Sequence, residues 1–157
     1  MTDPVPTPFL RASRFWLLTG AADCWKCSQP TQVSAIALDG YEEPVEGDKW
    51  ERVDDRTILS YISAVDYASL ANIHGFAPWL RYGRSETAET TYLANHCGHC
   101  GALQGDWFLA EAGAVFFPAD KSEMQDFVVH RFDQPLAIDA QCSWSGWHDW
   151  LPLTDAS

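Results

Sequence analysis

Cys24-Trp25-Lys26-Cys27 and Cys97-Gly98-His99-Cys100 are two copies of one spacing, C-x-x-C. Each tetrapeptide turns the chain tightly enough to aim two sulfurs at one point. Two such turns supply the four soft ligands of a tetrahedral Zn²⁺ site, with Cys24, Cys27, Cys97 and Cys100 as the ligand set. Four thiolates close the coordination shell, so the metal is expected to be structural. Residues 28–96 lie between the pairs, and one ion would therefore tie distant parts of the chain together.

The residue after each second cysteine carries part of this reading. That position often needs positive φ, which suits Gly101 and is workable for Ser28. His96 and His99 flank the second turn. They are expected to donate hydrogen bonds around the thiolates or to face water, because four thiols already suffice.

Working outward, the flanks read as strands. Arg14–Thr19 is short and aromatic, and Gln32–Leu38 alternates apolar with polar or small residues. Together they predict a strand, a metal turn and a returning strand. Thr57–Ser63 is rich in β-formers, and Thr90–Ala94 enters the second turn as a strand. Phe127–Phe132 and Leu136–Cys142 form a further strand pair around Asp133-Gln134-Pro135. Tyr67–Leu80 is expected to hold a helix stopped by Pro78, and Asp120-Lys121-Ser122-Glu123 opens a short one over residues 121–126. Gly105 argues against a regular helix over 102–109 and leaves room only for a short one.

Asp39–Asp55 is read as a loop or an excursion on the surface. It holds eight carboxylates against Lys49 and Arg52, punctuated by Gly40, Pro44 and Gly47. The fold class expected is α+β: mainly antiparallel sheet, a zinc-ribbon-like double knuckle, and one or two short helices. Residues 1–157 are expected to form one zinc-stapled domain, with 1–10 as an extended, proline-rich arm.

The two knuckles resemble those of the zinc-ribbon fold group, in which two β-hairpin turns clasp one zinc. More narrowly, Cys24-Trp25-Lys26-Cys27 together with Asn95-His96-Cys97-Gly98-His99-Cys100-Gly101-Ala102-Leu103-Gln104-Gly105-Asp106 is similar to a pattern in small, uncharacterised bacterial proteins. That resemblance implies a bacterial origin and a zinc-binding domain, and it implies no activity.

Composition narrows the function classes. No apolar run approaches the roughly 18 residues of a membrane span, and no basic leader precedes a signal-like core, which places the protein in the cytoplasm with reduced thiols. The formal net charge of −12 repels nucleic-acid phosphates and attracts basic partners. Arg11 with Arg14, and Arg81 with Arg84, are the basic pairs an alternative nucleic-acid reading would need. Cys97-Gly98-His99-Cys100 also matches a thiol-redox tetrapeptide, but such a site needs a helix starting at its first cysteine, and Gly101 and Gly105 weaken one there.

Other chemistry is thin. His74, His130 and His148 are scattered, and no phosphate-binding glycine loop or G-x-S-x-G is present. Cys142 reads as a small buried hydrophobe. Gln104-Gly105-Asp106 reads as a tight turn in which Gly105 takes a strained φ and Asp106 bonds a backbone amide. Trp144, Trp147 and Trp150 are expected to close the core. The function expected is a non-enzymatic, acidic protein-binding protein that engages a basic partner, for instance an immunity protein or inhibitor of a basic toxin.

Overall fold

The structure is a computed structural model and describes residues 9–110, 114–118, 120–143 and 145–153. Its strands are β1 (Leu10–Ala12), β2 (Phe15–Asp23), β3 (Pro30–Val45), β4 (Lys49–Val65), β5 (Leu80–Ser85), β6 (Thr90–His96), β7 (Leu103–Gln104), β8 (Val128–Phe132) and β9 (Leu136–Cys142). The helices are α1 (Tyr67–Phe76) and the single turn α2 (Asp106–Leu109), with 3-10 turns at Lys121–Asp126 and Gly146–Trp150. All pairings are antiparallel. The fold is therefore α+β with strands dominant.

The sheet runs β5-β6-β4-β9-β1-β3-β2-β8, and β3 also pairs with β4. The ladders β3–β4, β4–β9, β9–β1 and β1–β3 thus close on themselves. Successive residues of the central strands bury on opposite faces, which explains the unbroken apolar run Phe15–Leu18. Phe15, Leu17, Ile36 and Leu38 join Leu93, Ile138 and the α1 residue Ile73 in one core. Trp16, Leu18, Val33 and Ala37 face a second core, covered by Leu109, Phe116, Trp147, Leu151 and Leu153. Trp147 is buried and Trp150 packs against it from the margin, so both tryptophans close the core. Trp144 lies outside the described residues.

Several expectations need correction. Asp39–Asp55 is not a loop. β3 and β4 continue through it as one long ribbon, paired from Asp39↔Arg56 out to Val45↔Lys49, with the turn only at Glu46-Gly47-Asp48. Backbone ladder bonds hold a strand whatever its side chains, and the register slips at Gly40, whose φ is +85°. The arm also ends earlier than expected: Leu10 already belongs to β1, and residues 1–8 lie outside the described set. α1 stops at Phe76, and Leu80 opens β5. Its start is set by Asp66, whose carboxylate accepts from Ser69 N–H at 3.0 Å. Over residues 121–126 the helix is 3-10, with Asp120 accepting from Ser122 N–H at 2.9 Å.

β4 carries one more irregularity. Leu59 and Ile62, three residues apart, both enter the first core, while the ladder to β9 slips between Ser60 and Ala64. Tyr61 absorbs the extra residue with a φ of +49°. Its N–H leaves the ladder and donates to Asp106 Oδ2 at 2.8 Å. No helix among the described residues is long and apolar enough to cross a membrane.

Candidate metal centre

The β2–β3 hairpin and the β6–β7 hairpin end side by side. β2 and β3 pair as far as Asp23↔Pro30, so Cys24–Gln29 forms the connecting turn. β6 and β7 pair at His96↔Leu103, so Cys97–Ala102 forms the other. The two turns are built alike. Cys24 N–H donates to Gln29 O and Ser28 N–H to Cys24 O, each at 2.9 Å. Cys97 N–H donates to Ala102 O at 2.9 Å and Gly101 N–H to Cys97 O at 3.0 Å. Both fifth residues are left-handed, Ser28 at φ +66° and Gly101 at φ +78°. Serine there costs about 1 kcal/mol relative to glycine.

The four sulfurs of Cys24, Cys27, Cys97 and Cys100 lie within 4.8 Å of one another. Cys24 Sγ is 3.6 Å from Cys100 Sγ, and Cys27 Sγ is 3.7 Å from Cys97 Sγ. All four are free thiols. A tetrahedron with metal–sulfur bonds of about 2.3 Å has edges of about 3.8 Å, whereas a disulfide needs about 2.05 Å. The spacing fits a shared metal ion.

The electrostatics agree. Burial pushes the Cys24 thiol up, but N–H groups of Cys27 and Lys26, the Gln104 amide and Cys100 outweigh it and bring it down to about 6. Backbone bonding at Cys100, against burial, lowers Cys97 with help from His99 N–H. Cys27 gains from bonding at Gln29, yet desolvation and the neighbouring sulfurs drive it up to about 11. Four crowded thiols resist ionising together, and a cation removes that conflict.

The turns are also fastened without metal. Gly98 N–H donates to Thr31 Oγ1 at 3.0 Å, and a ring nitrogen of His99 lies 3.1 Å from Pro30 O. Trp25 Nε1 donates to Leu103 O at 2.7 Å. Deeper in, Asn95 pairs with the Ser34 backbone in both directions, at 2.7 and 3.0 Å. His96 turns away from the sulfurs, its Nδ1 2.9 Å from Ala94 O. Neither His96 nor His99 belongs to the sulfur cluster.

Gln104-Gly105-Asp106 does more than turn the chain. Gly105 has an ordinary φ of −67°, so the strain expected there is absent, and it precedes α2 as its N-terminal cap. Asp106 bonds a backbone amide as expected, that of Tyr61. Gln104 carries a role the sequence reading missed: its buried Nε2 donates to Cys24 Sγ at 3.3 Å and to Ala102 O at 2.9 Å. No local signal marks it: Gln104 pairs with Asn95 across β6–β7, and the packing of the two hairpins against each other is what brings it to Cys24. Gln104→Leu is expected to weaken metal binding about tenfold, read by competition with a chromogenic chelator, while the fold is kept.

Elsewhere the histidines stay apart from the centre. His130 packs on Phe76 with ring centroids 4.2 Å apart, and His148 is buried near Trp147. Cys142 is partly buried in β9 beside the first core. Arg11 is engaged by Glu42 at 3.3 Å and lies over the Trp50 ring.

These features define a strand-dominated α+β protein with a four-cysteine centre able to hold a metal ion. No family model, curated protein or solved structure matches the chain.

Proposed function

We propose that the chain is a non-enzymatic binding protein, stapled by one structural Zn²⁺, whose acidic ribbon docks a basic protein. An immunity protein or inhibitor that neutralises a basic toxin is one concrete form, and a bacterial, cytoplasmic setting suits it. Zinc is the ion favoured by four thiolates in tetrahedral array, and a shell closed by protein leaves no open position for substrate. Elemental analysis of the purified protein is expected to find one zinc per chain.

The observation that carries the reading is the far half of the β3–β4 ribbon. Glu46, Asp48, Glu51, Asp54 and Asp55 are exposed there. Val45 and Trp50, each 39% exposed, stand among them. An apolar pair among mostly acidic neighbours, with Arg11 stacked over the Trp50 ring and Lys49 and Arg52 exposed alongside, suits a partner of net opposite sign: the apolar pair supplies burial and the surplus charge steers the encounter. Arg52 and Arg56 offset only Asp54 and Asp39, at 2.9 and 3.5 Å.

The test is copurification with tagged protein from the native host, followed by association kinetics with whatever is recovered. A basic partner is expected, with an association rate that falls steeply with salt. The triple change Glu46→Gln, Asp48→Asn and Glu51→Gln should slow association about tenfold without unfolding the chain, since Asn tolerates the φ of +59° at position 48. Recovery of no basic partner, or equal rates for the neutralised ribbon, would count against the reading.

A further inference from the structure

An open cleft of about 500 Å³ lies beside the metal centre, where the first cysteine turn, the β4 irregularity, the β5–β6 turn and α2 meet. Small-molecule sites span roughly 300–1,000 Å³. The cleft has aromatic walls, made by Trp25, Tyr61, Tyr92 and Trp107. Trp25 and Trp107 are each 65% exposed, an unusual state for a side chain that is mostly buried in folded proteins. Trp25 is nonetheless fixed, because its Nε1 donates to Leu103 O at 2.7 Å.

Tyr61 is a second, independent sign. It is a bulky residue at φ +49°, a conformation that glycine adopts at far less cost. Asp106 holds it there by accepting its N–H at 2.8 Å, and the N–H of Asp106 donates to the Tyr92 hydroxyl at 3.0 Å. The Tyr61 and Tyr92 rings meet edge to face, with centroids 5.1 Å apart. Backbone strain over-determined by its surroundings clusters at ligand sites.

Arg84 and Glu86, both exposed, complete the wall. Neither the guanidinium nor the carboxylate has a partner among the described residues. Their chemistry selects the ligand. A cation is opposed by Arg84, and an anion by Glu86 and the net charge of −12. The guanidinium only donates and the carboxylate only accepts, whereas each hydroxyl of a neutral diol does either and so serves both. The weakly positive C–H face of a sugar ring also suits the negative faces of aromatic rings.

We propose that this cleft is a binding site for a neutral saccharide, its ring against Trp25 and Trp107 and its hydroxyls shared between Arg84 and Glu86. The site is separate from the acidic ribbon, and its failure would leave the protein-docking reading untouched.

Cellobiose, maltose, lactose and N,N′-diacetylchitobiose are the probes, and choline is the cationic control, each titrated into metal-loaded protein. At least one disaccharide is expected to saturate with a dissociation constant of about 1 mM or tighter, and choline to bind at least about tenfold more weakly. In wild-type protein, that disaccharide should shift the indole N–H resonances of Trp25 and Trp107 and leave that of the buried Trp16 in place. Trp107→Ala and Arg84→Ala, both changes of exposed side chains, should each weaken binding about tenfold with the melting temperature kept. Absence of saturable binding by every disaccharide overturns the proposal. So does tighter binding of choline, an unmoved pair of Trp25 and Trp107 resonances at saturation, or full affinity in a folded Trp107→Ala.

Discussion

Cys97→Ser is expected to lower the melting temperature by on the order of 10 °C or more, and chelation of metal from the wild-type protein should do the same. The cluster links residues as far apart as Cys24 and Cys100, whose sulfurs are 76 positions apart in sequence. Treated as a covalent cross-link over such a loop, it removes about 4 kcal/mol of unfolded-chain freedom. For a chain of this size, each kcal/mol moves the midpoint by about 2–4 °C. The location of the link makes the loss felt. Among the described residues the β5–β6–β7 unit pairs with the remaining sheet only through β4, at Ile62↔Leu93; Leu80 and Leu93 anchor its near end in the first core and Asn95 bonds Ser34, while the cysteine turns hold its far end. Hydrogen exchange should show β5, β6 and β7 losing protection first in Cys97→Ser. A melting temperature unchanged by both Cys97→Ser and chelation would show that the cluster is not a staple.

Asp106→Asn is expected to stabilise the protein at neutral pH, an unusual result for a buried, hydrogen-bonded aspartate. Burial raises the Asp106 pKa from 3.8 to about 6, against the Tyr61 amide, which favours the charge. The folded state therefore holds this proton more tightly than the unfolded chain. Stability from this group is fully present below about pH 4 and is lost as pH rises through about 6. The full shift corresponds to about 3 kcal/mol, a ceiling because part of the side chain still meets solvent. Asparagine keeps a carbonyl oxygen for Tyr61 N–H and carries no charge. Its advantage over wild type should appear in urea titrations at pH 7.5 and vanish near pH 4. Asp106→Leu, by contrast, strands the Tyr61 N–H at the β4 irregularity and should cost about 1–3 kcal/mol at either pH. A pH-independent Asp106→Asn effect would exclude the titration as its cause.

The acidic ribbon shows why charge patterning misleads about strands. Eight carboxylates between Asp39 and Asp55 read as a loop because polar side chains give no apolar alternation to detect. Yet β3 and β4 are one ribbon, anchored where Ile36, Leu38 and Leu59 are buried and continued outward by backbone bonds. β1 and β7 were invisible for another reason: three and two residues are too short for any period, and each exists only because a partner strand runs beside it.

From sequence alone came the sulfur set, the hairpin around the first turn, the left-handed positions at Ser28 and Gly101, and the dominance of antiparallel strands. These are local consequences of spacing, turn chemistry and side-chain alternation, which neighbours along the chain determine between themselves. Only the tertiary structure decided that Gln104 serves Cys24, that Asp106 supports the irregular turn at Tyr61, and that His148 is buried beside Ile58 and Trp147. Each of those joins residues about 45 to 90 positions apart. Such meetings depend on how strands stack and where the sheet closes, and no short window of residues encodes them.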